Sequence, residues 1–576
     1  MNSSPSKSTS ADNATNRTGN WRAFFPPAQW LSNYRADWLR GDAVAGLTAA
    51  AVVVPQAMAY AAIAGLPLVV GLYTALVPLV VYAVLGTSRP LSVTTTSTIA
   101  LLTAGALHLA GDQSPLVATA TLAFLVGLML LGASLLRLGV VASFISEPVL
   151  VGFKAGVGLV IVVDQIPKLL GVHFDKGHFF HNVASIANHL PQASIPTVAL
   201  AVAMLALQIG LERFLPRVPA SLVTVATGIA ASVFLGLSGR GIELVGEVRG
   251  GLPSFALPDG SLFVHLWPAA AGIALMSFVE TAAAGQAFRA SDEPRPEPNR
   301  ELLAIGATNL VGGLFQNMPS GGGTSQTAVN RKSGARTQIA GLVTATVVVA
   351  VLFFLAPLVH LMPQATLATV VAVPCAGMIK LLEFRAILRT RVMEFSWAVI
   401  SLAGVVVMGT LKGIIVAVVL SLLGLIYHAD RRPVFVLGRK PGTDVYRPHS
   451  KEHPADETIP GLLLLKTEGI IHFANAQRIG ALMMRLIEEF KPEVVALDCS
   501  AIPDFEYSAL KMLTDAERRL RQDGLSLWLV ALNPEPLGLI QKSELGKTLG
   551  RERMHFNLHQ AVESFVAGHK RSGGRR

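Results

Sequence analysis

Met318-Pro-Ser-Gly-Gly-Gly-Thr-Ser-Gln-Thr-Ala-Val-Asn330 lies between two strongly apolar stretches, and its reading decides the fold. Unsatisfied backbone in hydrocarbon is so costly that a Gly-rich break at membrane depth persists only inside protein or beside a water-filled cavity. A short helical pattern carrying hydroxyls and an amide, 324–332, follows the break at once. A helix that starts there directs its free N–H groups and the positive end of its dipole into the cavity. That arrangement suits an anion.

The surroundings fit the same reading. The 576-residue chain is 52% hydrophobic and 15% charged, with a mean hydropathy of +0.52, whereas soluble domains carry about 25% charged residues. Apolar segments stand at about 43–64, 69–86, 92–110, 115–136, 139–170, 196–212 and 219–237. A polar stretch with Arg240, Glu243, Glu247 and Asp259 follows, and then a second set at about 265–288, 301–316, 324–332, 336–361, 365–380, 393–410 and 413–428. Most are long enough to cross about 30 Å of hydrocarbon. The expected fold is therefore an α-helical membrane protein of 14 spans, seven in each half. An odd number per half makes the halves run in opposite directions, the layout of an inverted repeat (about 41–237 and 265–428).

Charge sets the orientation. With the N-terminus inside, Arg89, Arg137, Arg213, Arg217, Arg289, Arg295, Arg331, Lys332, Arg336, Arg385, Arg389 and Arg391 fall on the cytoplasmic side, against Lys176, Arg240, Arg249 and Lys412 outside. This follows the positive-inside rule and places both termini in the cytoplasm of a multi-pass cell-membrane protein. The formal charge of +10 is explained by these connections, so nucleic acid is not an expected partner. Residues 1–29 read as a disordered tail, 30–428 as the transport domain with an interfacial preamble at Trp30–Arg40, 429–460 as a linker, 461–565 as an α/β domain and 566–576 as a basic tail. Cys375 and Cys499 support neither a disulfide framework nor a zinc cluster.

The third segment of each half is interrupted. The first half has Ser88-Arg-Pro-Leu-Ser-Val-Thr-Thr-Thr-Ser-Thr98 where the second has the opening stretch. Thr96 lies about 53 residues into its half and Thr324 about 58 into its own. Matched breaks point to a binding site between repeats. The site expected from them includes Thr94, Thr95, Thr96, Ser97, Gly323, Thr324, Ser325 and Gln326; the alternative is that these hydroxyls glue helices together. Gln56 and Tyr60 sit one turn apart beside Pro55 and line the same site or pack between helices.

Glu280 is an acid within an apolar helix, and such groups face cavities and serve functions. It is the candidate proton carrier or sodium ligand, against a structural acid bonded to a neighbouring helix. Glu147 and Lys154, one heptad apart, read as an ion pair. His173, His178, His181 and His189 lack metal-site spacing. Gly321-Gly-Gly323 lacks the Lys-Ser/Thr of a nucleotide loop, and no nucleophile–base arrangement stands out in the membrane part. Neither a cofactor nor an enzymatic activity is expected.

After Asp430 strand and helix signals alternate: strands at Leu462–Leu465, Ile470–Phe473, Val494–Asp498 and Ser526–Ala531, one helix capped by Asn475 and running to about Phe490, and another from about Tyr507 to Gln522. This is an α/β sheet with packed helices.

Four stretches resemble one family. Pro55-Gln-Ala-Met-Ala-Tyr60 through Tyr73 looks like the first-span signature of the sulfate permease family, also called solute carrier family 26. Gly86-Thr-Ser-Arg-Pro-Leu-Ser-Val93 resembles its approach to the third span. Asn299-Arg-Glu-Leu302, Asn309 to Phe315, Thr327-Ala-Val-Asn330 and Gly334-Ala-Arg-Thr-Gln338 form the most specific block. Val494 through Leu510 resembles the sulfate transporter and anti-sigma-factor-antagonist (STAS) domain. The resemblance implies a uracil-permease-like core and gate built from inverted seven-span repeats, with an anion between the N-terminal ends of the third and tenth spans. It implies dimers, lipid around the spans, a co-transported proton or sodium ion, and a cytoplasmic partner for the STAS domain. By position, Gln56, Tyr60 and Ser325 match site residues, Glu280 matches the acid linked to cation coupling, and Ser508 matches a phosphorylated serine of soluble relatives.

The chain departs from the common pattern in three places. Ser92-Val-Thr-Thr95 stands for Ser-Val-Gly-Pro, Gln326 stands where a basic residue often follows the serine, and Glu506-Tyr-Ser-Ala509 stands for Asp-Ser-Ser/Thr-Gly. The site is thus richer in hydroxyls and poorer in positive charge, which argues against a strongly bound dianion. The expected function is secondary active transport of a small oxyanion of the sulfate, bicarbonate or dicarboxylate class. The alternatives are an uncoupled exchanger or channel, and a membrane-anchored signalling scaffold.

Overall fold

A computed structural model describes residues 34–111, 113–140, 146–174, 177–216, 218–246, 250–291, 293–430 and 433–573. The expected N-terminal tail, the first part of the interfacial preamble, and Lys176, Arg217, Arg249 and Arg431-Arg432 lie outside the described residues. The chain divides into two compact units, Met1–Leu422 and Leu423–Arg576.

In the first unit helices occupy the apolar segments in order: α1 (Ala36–Ile63), α2 (Leu68–Leu85), α3 (Ser97–Leu107), α4 (Pro115–Leu135), α5 (Glu147–Leu170), then α6 (Phe179–His189), α7 (Ile195–Phe214) and α8 (Ala220–Leu235). The second half holds α9 (Phe263–Ala287), α10 (Pro298–Leu314), α11 (Thr324–Lys332), α12 (Ile339–Ala350), α13 (Gln364–Ala376), α14 (Leu381–Thr390), α15 (Val392–Met408) and α16 (Thr410–Asp430), the last running across the unit division. Among the described residues, seven helices are long and apolar enough to cross a membrane, and five shorter apolar ones accompany them. α12 continues through a π-helical turn at Val351–Leu355, so its single apolar run is one continuous helical stretch.

Helices α6 and α14 were not legible as elements. Both are amphipathic, and α14 buries none of its side chains. An ion pair between Glu147 and Lys154 does not form: α5 places them about 10 Å apart along its axis, two turns of helix, too far for direct contact. Asp164, lower on the same helix, instead accepts from Asn182 Nδ2 of α6 at 3.0 Å.

The two halves interlock in couples. α1 packs on α12 and α9 on α4; α2 packs on α12 and α10 on α4; α5 packs on α15 and α13 on α7. Exchanging the halves maps each contact onto its companion. Small residues allow the close approaches. A Cβ added at Gly127 of α4 would lie 2.3 Å from Leu310 N of α10. One added at Gly152 of α5 would lie 1.9 Å from the Ala398 carbonyl of α15.

The second unit is a six-stranded sheet in the order β4-β3-β5-β6-β7-β8: β3 (Val434–Arg439), β4 (Tyr446–Pro448), β5 (Leu462–Thr467), β6 (Val494–Asp498), β7 (Ser526–Val530) and β8 (Met554–His555). β5 to β8 run parallel, and β3 is antiparallel to β4 and β5. The stretch expected as a linker at 429–460 contains two strands of this sheet, β3 and β4, joined by irregular chain. Alternation along β5 feeds two cores. Leu463 and Leu465 pack toward α17 (Ala476–Phe490) and α18 (Tyr507–Gln522); Leu462 and Leu464 pack with Phe565 of α21 (Leu558–Gly573). The first eight residues of the expected basic tail continue α21, and 574–576 lie outside the described residues.

Two details differ from expectation. Ile470–Phe473 is not a strand: Gly469, at φ +84°, turns the chain out of β5, and Ile471 keeps a single bridge to Phe505. Asn475 stands at the N-cap of α17 without capping it, since its Oδ1 accepts from the His472 N–H at 2.9 Å.

Candidate anion site at the paired breaks

The two interruptions meet. Residues 93–94 (β1, Val93–Thr94) pair antiparallel with β2 (Gly321–Gly322), Val93 opposite Gly322 and Thr94 opposite Gly321. Each strand runs into a short helix, β1 into α3 and β2 into α11. The first N–H groups of such helices lack intrahelical partners. At α11 the N-cap is Gly323, which has no side chain to satisfy them. At α3 the N-cap Thr96 accepts from Ile99 N through its hydroxyl. The N–H groups of Thr324, Ser325 and Gln326 are thus the open anion-attracting end.

The strand pair is held from three sides. α9 presents Ser277, Glu280 and Thr281 on one face by i, i+3, i+4 spacing. Ser277 Oγ donates to Ser320 O at 2.6 Å, and Thr281 Oγ1 accepts from Gly322 N at 2.8 Å. Asn309 of α10 donates to Ser320 O at 3.0 Å and accepts from Ser320 N at 2.8 Å. Between the breaks, Gly323 N donates to Ser92 O at 3.0 Å and Ser92 N donates to Thr327 Oγ1 at 3.1 Å. Gly322 is required by close approach: a Cβ there would lie 2.8 Å from Thr281 Cα.

The sequence-derived site residues fall into a chain of contacts. Thr94 Oγ1 donates to Gln326 Oε1 at 2.6 Å, and Gln326 Nε2 donates to Gln56 Oε1 at 3.4 Å. Thr96 Oγ1 donates to Glu280 Oε2 at 2.7 Å. Tyr60 packs in one cluster with Ala100 of α3 and Met318 of the second break. Ser97 Oγ points at Met378 Sδ at 3.6 Å. Thr95 is fully buried, and its hydroxyl has no partner. Gln326 and Glu280 are buried, whereas the neighbouring Thr324 and Ser325 are exposed, so a wall of satisfied amide and carboxyl backs two open hydroxyls.

Reasoning from sequence missed the braces behind this wall. Gln338 Nε2 donates to Ser88 O at 2.8 Å and Leu91 O at 2.9 Å, and Asn330 Nδ2 donates to Pro90 O at 3.3 Å. Glu301 accepts from Tyr82 Oη at 2.8 Å, from Thr87 N at 3.0 Å and from the Thr87 hydroxyl. Asp42 accepts from Arg336 N at 2.7 Å and Thr337 Oγ1 at 2.6 Å. Each brace crosses from one half to the other. Ser277 and Thr281 were the ones open to discovery, through their helical spacing from Glu280.

In the second unit Ser508 is exposed on the first turn of α18, beside a cavity of about 720 Å³ between α17 and α18. Glu506, ahead of that turn, accepts from Phe473 N at 3.2 Å. Burial pushes the Cys499 thiol well above its ordinary range, so it is an inert core group.

The chain also matches known proteins in sequence and in fold. The sulfate permease family profile covers residues 39–401, and the STAS domain profile covers 453–563. The "probable sulfate transporter" of Mycobacterium tuberculosis is 34% identical over 94% of this chain and 98% of its own length. Solute carrier family 26 member 6 of Homo sapiens is 28% identical over 86% of this chain and 68% of its own. The murine solute carrier 26 family member A9 anion transporter, in its inward-facing state, superposes with a TM-score of 0.88 at 22% identity, covering 97% of this chain and 96% of that one.

Proposed function

The chain belongs to the sulfate permease family, and we propose that it moves a small oxyanion across the cell membrane by cation-coupled secondary active transport. In this reading the fourteen helical segments form two inverted seven-segment repeats, supported by the exchange-related packing couples. The observation that carries the proposal is the β1–β2 pair, which sets the open N-terminus of α11 beside exposed Thr324 and Ser325. The anion would sit there, held by N–H groups, by these hydroxyls and by the unpartnered Thr95 hydroxyl. Gln56, Tyr60 and Gln326 would shape its wall. Alternating access would carry the paired breaks past α5, α13 and their neighbours.

Glu280 would carry the coupling proton. Its hydrogen bond from Thr96, the N-cap of α3, ties the carboxyl to the start of the helix that follows the other half of the paired break. Both termini would be cytoplasmic, the assembly a dimer, and Ser508 a regulatory position reached by a cytoplasmic partner.

The test is uptake by the reconstituted chain across a panel of sulfate, bicarbonate and dicarboxylates with an imposed pH gradient. One anion class is expected to accumulate, and Ser325→Leu is expected to abolish both uptake and binding. Failure of every tested anion to bind the purified chain would sink the transporter reading and favour a scaffold.

A further inference from the structure

At the end of the membrane unit where α1 begins, a cavity of about 330 Å³ is lined by Trp38, Arg89, Glu293, Arg331 and Arg336. Three guanidiniums line it with one carboxylate, so the lining is net positive. The lone acid is already engaged: Glu293 is buried, accepts from Arg331 at 3.0 Å, and also accepts from Ala290 N at 3.0 Å. Arg336 stacks over Trp38, its Cζ 5.8 Å from the ring centroid, which leaves its N–H edge free to donate. Its backbone is fixed by the Asp42 carboxylate at 2.7 Å. The Arg89 guanidinium, half-buried, has no hydrogen-bond or ion-pair partner among the described residues. The nearby Asp37 pairs with Arg35 at 3.2 Å and does not line the cavity.

We propose that this cavity binds the phosphate group of an anionic phospholipid headgroup. Arginine forks match phosphate oxygens in a bidentate manner. Trp38 stands at the start of the apolar run of α1, where aromatic side chains mark the level of lipid headgroups. Basic pockets between spans at that level suit anionic headgroups. The ligand would also have a structural effect. Arg89 precedes β1 by a few residues, and Arg331 lies in the last turn of α11, so one phosphate would tie together the approaches to both halves of the paired break.

The probe is dioleoyl phosphatidylglycerol added to the full chain in neutral detergent, read by native mass spectrometry and thermal shift. Dioleoyl phosphatidylcholine and inorganic phosphate serve as the comparison arms. Phosphatidylglycerol is expected to bind and raise the melting temperature, less so at high salt. Arg89→Gln is expected to weaken it about tenfold, the loss of one charge-assisted contact, with an unchanged melting temperature before lipid is added. Arg336→Gln should give a similar loss, and Arg40→Gln, an exposed arginine outside the lining, should give none. Equal effects of phosphatidylcholine, or wild-type binding by both pocket variants, would overturn the proposal. Saturation by inorganic phosphate with nothing added by lipid would overturn the headgroup assignment in favour of a free oxyanion. Transport is not a readout, so the outcome is independent of the transporter reading.

Discussion

Replacing Thr96 by Val tests the link between the anion end of α3 and the coupling acid. The hydroxyl has two roles: it accepts from Ile99 N at 3.2 Å as the N-cap, and it donates to Glu280 at 2.7 Å. Val is close in shape and has neither capacity. Loss of the cap costs about 0.5–2 kcal/mol. It matters here because α3, at 11 residues, is shorter than the roughly 12–15 at which isolated helices become marginal. A hydrogen bond to a charged carboxylate adds about 1.5–3 kcal/mol. A double-mutant cycle separates the two. Thr96→Val, Glu280→Ala and the pair are melted in one detergent, with Thr96→Ser as the variant that keeps both bonds. The cap term appears in Thr96→Val whatever stands at 280. The coupling term, about 1.5–3 kcal/mol, appears only as non-additivity. Effects additive within about 0.3–0.5 kcal/mol would refute the link, as would Thr96→Ser behaving like Thr96→Val.

Other outcomes follow from the same geometry. Gly322→Ala drives a methyl to 2.8 Å from Thr281 Cα; it should lower stability by about 1–3 kcal/mol and impair uptake, measured by melting and by flux. Gln326→Lys breaks the bond from Thr94 and adds a positive charge beside the exposed serine. The ratio of sulfate to bicarbonate affinity should then rise by about tenfold, or 1.4 kcal/mol, in a competition assay. Anion binding by the purified chain in weak buffer should take up a proton, and Glu280→Gln should bind without doing so, as read by a pH dye. In the STAS unit, burial against Trp528, with ring centroids 4.6 Å apart, holds the His555 pKa below its ordinary 6.5. The unfolded chain therefore takes up this proton first: the stabilisation is complete above pH 6.5 and is lost as pH falls toward the lower folded pKa. Urea unfolding of residues 433–573 against pH should show that slope, and His555→Phe should flatten it.

Legibility followed physical range. The helices could be placed because hydrocarbon demands long apolar runs, and α11 occupies 324–332 as its pattern predicts. Gln56, Gln326, Thr94, Thr96 and Glu280 could be named because a polar group at membrane depth needs a reason. Their partners could not be read. Nothing local in Thr94 identifies Gln326, 232 residues away, as its acceptor. The braces Gln338, Glu301 and Asp42 were hidden for the same reason, since each answers to backbone in the other half. α6 and α14 escaped because hydropathy reports burial in lipid, and amphipathic helices are half polar. β4 escaped because a three-residue strand at the sheet edge carries little pattern of its own, and β3 because it is set apart from the other strands by the irregular chain between β4 and β5.

In the proposed inverted-repeat reading the two cross-links of the site correspond to one another, and their difference bears on the proposed mechanism. The broken segment of the second half reaches Gln56 on the first helix of the first half, through Gln326. The broken segment of the first half reaches Glu280 on the first helix of the second half, through Thr96. At matching places one half carries a neutral amide and the other a carboxyl. An anion between the breaks therefore meets no opposing charge on one side and a titratable acid on the other. Like charges at close range repel strongly in a low-dielectric site, so an anion bound in the proposed place would be opposed by a charged carboxylate at Glu280. With Gln326 in the position where a fixed cation would have neutralised that conflict, a co-transported cation at Glu280 would relieve it in the proposed cycle. Under the proposed transport cycle, coupling would then follow from the substrate's charge and from the acid that one half carries where the other carries an amide.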